Sequence, residues 1–171
     1  MTSMDLDPVD RITADAIGEP GERTFYLQAR KGPELVTIMV EKQQVELLAS
    51  SILEILSRVG KETAAGPPEE EMELEEFAEP MWRAGRLSIG YLEERDLLLL
   101  EVEEVLDEEE EVVREAERVR LWATPEQMLS LSRHGAVVVS RGRPRCQFCG
   151  NPLDPEGHVC PAMNGHGSPD V

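Results

Sequence analysis

Val36-Thr-Ile-Met-Val-Glu-Lys-Gln-Gln44 and Val119-Arg-Leu-Trp-Ala-Thr-Pro-Glu-Gln127 align without a gap, and the pairs Val36/Val119, Ile38/Leu121 and Met39/Trp122 are apolar in both. Each segment begins with the alternation of a strand and ends where a helix starts, just ahead of a glutamine. After the first, Val45, Leu48, Ile52, Ile55 and Leu56 fall at helical spacing until Gly60 stops the run. After the second, Thr124 is placed as N-cap, Pro125 at the first helical position and Gln127 at the capping-box position, which predicts a helix to about Val139. Upstream of each lies a hairpin pattern. Thr24–Arg30 turns through Lys31-Gly-Pro33 into Leu35–Val40, and Arg83–Tyr91 turns through Leu92–Arg95 into Asp96–Val105. Arg11–Ile17 alternates weakly before the Gly18-Glu-Pro-Gly21 turn, and Arg114–Trp122 completes the second set.

The expected fold class is therefore α+β, with antiparallel sheet and two helices. The matching order reads either as a degenerate β-β-β-α duplication or as chance likeness between strand-turn-helix segments. The expected organisation is a first half over 1–62, an acidic Pro/Gly linker over 63–79, a second half over 80–141 and a tail over 142–171. The linker, opening Ala-Ala-Gly-Pro-Pro and continuing through a glutamate run, is expected to be too charged to pack. Residues 1–10 are polar and expected to be loose.

Charge excludes more than it identifies. The chain has 171 residues, 35 acidic against 17 basic, for a net charge of −18. Residues 141–171 are neutral, so the body carries the whole excess and repels polyanions. Nucleic acid and an anionic membrane are thus poor partners for the body. The longest apolar run, Leu97–Leu100, is far below the roughly 20 residues that span a bilayer. The acidic start lacks the pattern of a signal or transit peptide, so a cytoplasmic protein is expected.

All three cysteines lie in the tail, at Cys146-x₂-Cys149 and Cys160, with His158 two positions before the last. Cys146-Gln-Phe-Cys149-Gly150 has the form of a zinc knuckle, and His158-Val-Cys160 can present its first and third side chains to one side. An odd cysteine count suits a metal site better than a disulfide framework. His158 is preferred to His166 as the fourth ligand, because Gly165 and Gly167 leave His166 loosely held. Four protein ligands fill a tetrahedral shell, which makes the Zn²⁺ structural. His134, beside Arg133 and Gly135, reads as a surface or cap-proximal residue and not as a catalytic base. Gly18–Gly21 lacks the Gly-Lys-Ser/Thr ending of a phosphate loop. Asp5, Asp7 and Asp10 read as solvated surface.

The tail, Cys146-Gln-Phe-Cys-Gly-Asn-Pro-Leu-Asp-Pro-Glu-Gly-His-Val-Cys-Pro-Ala-Met-Asn-Gly165, closely resembles the C-terminal signature of an uncharacterised bacterial family, domain of unknown function three thousand and ninety. Asp10–Arg30 and Val40–Gln44 resemble it as well. The resemblance implies that Cys146, Cys149, His158 and Cys160 are the family's metal-type positions. This chain departs from it at Ala162 and His166, where a basic residue and an aromatic are implied. No activity comes with the resemblance.

Three functions compete. A non-enzymatic adaptor with a protein partner ranks first, its contact made by Phe148, Leu153 and Val159 with Arg141, Arg143 and Arg145 at the rim. A single-strand nucleic-acid binder gripping phosphates through those arginines ranks second, against the body's charge. An enzyme using Asp10, Asp15 or Glu41 on a small phosphorylated substrate ranks third, since no spacing identifies an acid/base pair. The zinc reading is checked by elemental analysis of untagged protein. About one thiophilic ion per chain is expected, lost in Cys146→Ser and kept in His166→Ala; metal-free protein would end it.

Overall fold

Thr124 caps the second helix as its sequence predicts. Its N–H donates to Gln127 Oε1 at 2.9 Å, and the Gln127 N–H donates to Thr124 Oγ1 at 3.1 Å. The computed structural model describes residues 3–19, 21–61, 66–75, 79–106 and 115–141. Strands β1 (Ser3–Leu6), β2 (Arg11–Ile17), β3 (Thr24–Lys31) and β4 (Glu34–Val40) precede helix α1 (Lys42–Arg58). Strands β5 (Ala84–Leu92), β6 (Leu97–Glu104) and β7 (Arg118–Ala123) precede helix α2 (Pro125–Arg141). The class is α+β, and each helix follows a three-stranded antiparallel meander. The expected strand-to-helix passages at Val36–Gln44 and Val119–Gln127 both form. The zinc-knuckle tail, 142–171, lies outside the described residues.

Two sheets form where the sequence pointed to antiparallel sheet alone. One is β2-β3-β4; the other is β1-β7-β6-β5. The segment 1–10, expected to be loose, contributes β1, which runs parallel to β7 with Leu6 opposite Leu121. Four residues show no usable periodicity, so a ladder made with a distant strand leaves no local sign. The sheets meet at two seams. At one, the Val9 N–H donates to the Trp122 carbonyl at 2.8 Å. At the other, Met39 bridges Arg83 in parallel, with the Met39 N–H on the Trp82 carbonyl at 3.1 Å.

The two glutamines that mark the helix starts lock these seams. Gln44 accepts the Glu41 N–H at 2.7 Å and donates Nε2–H to the carbonyls of Ala84 and Gly85 at 3.1 and 3.2 Å. Gln127 donates in the same way to Val9 and Asp10 at 3.2 and 3.3 Å. Each amide thus closes its own helix and ties it to the other half.

One hydrophobic cluster draws on both halves, including Leu27, Ile38, Ile52 and Leu56 from the first and Leu98, Leu100, Leu121 and Leu129 from the second. The helices cross closely. Ser132 Oγ donates to the Ala49 carbonyl at 2.7 Å, and a Cβ on Gly135 would stand 3.2 Å from Val45 Cγ1. The segment 66–75, within the stretch expected to stay unpacked, straps this assembly instead. Met72 is 1% exposed, Thr13 Oγ1 donates to its carbonyl at 2.5 Å, and Ser130 Oγ donates to the Pro67 carbonyl at 2.7 Å. Its glutamates stay outside while its carbonyls and one methionine do the packing, which charge density alone does not reveal.

Gln44→Ala and Gln127→Ala are each expected to lower stability by about 2 kcal/mol, combining a lost cap with the loss of a bond to one part-buried carbonyl, Ala84 or Val9. Denaturant unfolding checks this. A single shared transition is expected in both variants, because neither half has a core of its own.

Candidate functional site

The titratable cluster with the deepest burial is centred on His134. Sequence placed this residue at the surface, but it is 2% exposed. The helical stripe Leu131, His134, Gly135 and Val138 is buried, and that spacing is the signal that could have placed His134 inside. Its ring nitrogens face two carboxylates: Nδ1 is 2.6 Å from Glu69 Oε1, and Nε2 is 3.2 Å from Asp15 Oδ1. Asp15 comes from β2 and Glu69 from a 3₁₀ turn at Glu69–Glu71 in the strap. The Leu74 N–H donates to Asp15 Oδ2 at 3.3 Å, and Arg141 Nη2 stands 3.8 Å from Glu69 Oε1.

Burial alone would lower the His134 pKa, but the hydrogen bonds to Asp15 and Glu69 outweigh it and raise the value. Burial likewise works to raise the Asp15 pKa, and the bond from His134 overrides it and lowers the value. When both nitrogens carry protons the ring donates to both carboxylates and clasps helix, sheet and strap together. A ring engaged at both nitrogens and closed to solvent does not take a proton from a substrate.

Of the other candidates, Arg141 ends α2 beside Glu69. Asp7 pairs with Arg95 at 2.7 Å, and the Gly32 N–H donates to Asp10 Oδ2 at 2.7 Å. Glu41 is the N-cap of α1. Asp10, Asp15 and Glu41 therefore serve separate structural tasks. Cys146, Cys149, His158, Cys160, Arg143, Arg145 and Phe148 lie outside the described residues. Among the described residues no group of three or more His, Cys, Asp or Glu side chains could hold a metal ion, and no helix is long and apolar enough to cross a membrane.

A second feature was not visible in the sequence. Among the described residues β5 is the edge of its sheet, paired with β6 alone, and a hollow flanks it on each face. On the side of α1, a groove of about 290 Å³ is bounded by Leu47, Leu48 and Ser51 of the helix and by Gly85–Ile89 of the strand. On the opposite face, a hollow of about 370 Å³ lies over Ser88, Gly90, Leu99 and Glu101. Gly90 stands opposite Leu99, and a Cβ there would touch nothing within 4 Å. Leu47 is 69% exposed, the most exposed of the large apolar side chains. Glu46 adjoins the groove, and exposed Glu93 and Glu94 lie in the turn that ends β5.

The clasp makes stability pH-dependent at both ends. The raised His134 pKa contributes stability that is full below its unfolded value of about 6.5 and is lost as pH rises through the folded value. The lowered Asp15 pKa contributes stability that is full above about 3.9 and is lost as pH falls through its folded value. His134→Asn is expected to lower stability near neutrality by about 2 kcal/mol, since it removes the cationic partner of the half-buried Asp15 carboxylate. It should also remove the alkaline slope, and denaturation midpoints measured between the two limits check both effects.

No curated protein and no solved structure matches the chain. A family model does, described as protein of unknown function (DUF3090) and matched over residues 4–160. That span covers most of the sequence, and the chain belongs to this family of unknown function.

Proposed function

We propose that the protein is a non-enzymatic binding module whose β5 edge accepts an extended, basic-apolar segment of a partner protein as an added strand. The observation that carries this reading is the open edge with a hollow on each face. An added strand gains main-chain hydrogen bonds from the edge and sends alternate side chains to opposite faces. Here one row meets Leu47 and Leu48, and the other enters the space that Gly90 leaves over Leu99. Charge selects the partner's chemistry. The chain carries −18, and Glu93 and Glu94 in the turn after β5, with Glu46 beside Leu47, outnumber Arg86 near the edge. The same charge opposes a second copy of this chain and a nucleic acid in that position.

We assign Cys146, Cys149, His158 and Cys160 to one structural Zn²⁺, and Arg141, Arg143, Arg145 and Phe148 to an accessory contact on the same partner. The family match supports this assignment in extent, since it runs through Cys160.

The test uses the full chain and a heptapeptide alternating lysine and valine, with a glutamate-valine peptide as control. The lysine peptide is expected to protect the amides of residues 86–91 from hydrogen exchange, and the control is not. Gly90→Val fills the outer hollow with a good strand former, and Leu47→Lys alters a side chain already in water, so both variants should stay folded. Each is expected to abolish protection. Unchanged protection in both variants, or protection by a single-stranded oligonucleotide in place of the peptide, would overturn the reading.

A further inference from the structure

We propose that the cleft between the Gly18–Gly21 turn and the start of α1 binds a small molecule bearing a phosphate monoester. The cleft encloses about 360 Å³, within the range of small-ligand sites, and its wall includes Arg23, Lys42, Thr24, Phe25 and Met39. It shares no lining residue with the β5 groove.

The placement of cations carries the argument. Acidic residues outnumber basic ones two to one, and the body's arginines are largely spent on them. Arg11, Arg30, Arg58, Arg95, Arg118 and Arg120 all lie within 4.0 Å of a carboxylate. Arg23 and Lys42 line one cleft, and among the described residues neither is ion-paired; Asp15 and Arg141 act on the Arg23 charge from farther away. Arg23 donates one Nη1–H to the Val138 carbonyl at 2.7 Å and lies 5.2 Å over the Phe25 ring. That bond and that stacking fix the guanidinium in place, with its remaining N–H groups uncommitted among the described residues. In a body this acidic, cations kept off carboxylates at one cleft are matched to an anion from outside.

The wall also defines the ligand's remainder. Phe25, Met39 and Val40 offer apolar surface, so an organic phosphate gains contacts that the free ion lacks. Two cations suit the dianion of a phosphate monoester better than the single charge of a carboxylate. Glu41 is the acid on the wall, and it opposes any anion there. The helix terminus itself is closed by the capping box, so the cations and not the helix end supply the attraction.

The experiment titrates the full chain with phenyl phosphate, inorganic phosphate and benzoate, following backbone amide resonances. Phenyl phosphate is expected to shift Gly21, Thr24, Phe25 and Lys42 and to bind more tightly than inorganic phosphate. Benzoate should bind most weakly, and added salt should weaken all three. Lys42→Gln, at a position that makes no internal bond among the described residues, is expected to weaken phenyl phosphate about tenfold. Glu41→Gln is expected to tighten it. Equal binding by wild type and Lys42→Gln, weaker binding by Glu41→Gln, or shifts confined to other parts of the chain would overturn the site. Because Lys42 and Glu41 lie outside the β5 groove, these outcomes are separable from those of the peptide test.

Discussion

Gln44 and Gln127 each use one carboxamide for two jobs that belong to different levels of structure. The oxygen completes a capping box at the start of a helix, and the nitrogen reaches across to two successive carbonyls of the other half, at the start of β5 for Gln44 and just ahead of β2 for Gln127. A cap is normally a local device, dispensable to tertiary structure. Here the same side chain fixes where each helix begins and where each sheet meets its neighbour. The seams at Val9–Trp122 and Met39–Trp82 are short, and without the glutamine amides the part-buried carbonyls of Val9 and Ala84 beside them would lose these bonds. The single core depends on those seams, since each meander by itself has an apolar face and nothing to cover it.

The clasp extends the same logic to the strap. Asp15, His134 and Glu69 come from a strand, a helix and a segment between the halves, and charge binds them where apolar area is scarce. The two carboxylates are not equivalent. Asp15 is 15% exposed and Glu69 is 43% exposed, so solvent screens the Glu69 contact and the Asp15 pair dominates the energetics. The shorter of the two bonds is nonetheless the one to Glu69. Its value lies in geometry: it places Met72 over Thr13 and closes the edge of the core.

What the sequence revealed follows from how local each determinant is. Thr124-Pro-Glu-Gln127 announces a helix start because cap chemistry is complete within four residues. The β5–β6 hairpin was legible because its turn and alternation are contiguous. β1 was not, since its partner is β7, and the strap was not, since its anchors are carbonyls and one methionine amid glutamates. His134 was misplaced for the same reason: its partners lie 65 and 119 residues away, and only the buried stripe around it hinted at its position. The β5 edge was invisible because strand order, and not strand identity, creates an edge. Of the site residues proposed from sequence, the structure brings Asp15 into a cluster and keeps Asp10 and Glu41 in separate structural roles.

The acidic excess takes on a different meaning once the structure is known. Spread over a surface, −18 is a general repulsion that keeps copies apart. Inside the fold it is spent unevenly. Glu101 and Glu103 hold Arg118 and Arg120, while Glu75 holds Arg30. These pairs flatten the charge over much of both sheets and leave two contrasted places at the start of α1. On one side of that helix Lys42 and Arg23 line a cleft that Glu41 shares, neither cation being ion-paired among the described residues; on the other, Leu47 stands beside Glu46 above an open strand edge. Neighbouring turns of one helix thus present opposite electrostatics to two hollows. A small anion and a basic strand would each find its own side and be repelled from the other, a discrimination set by charge before any contact is made.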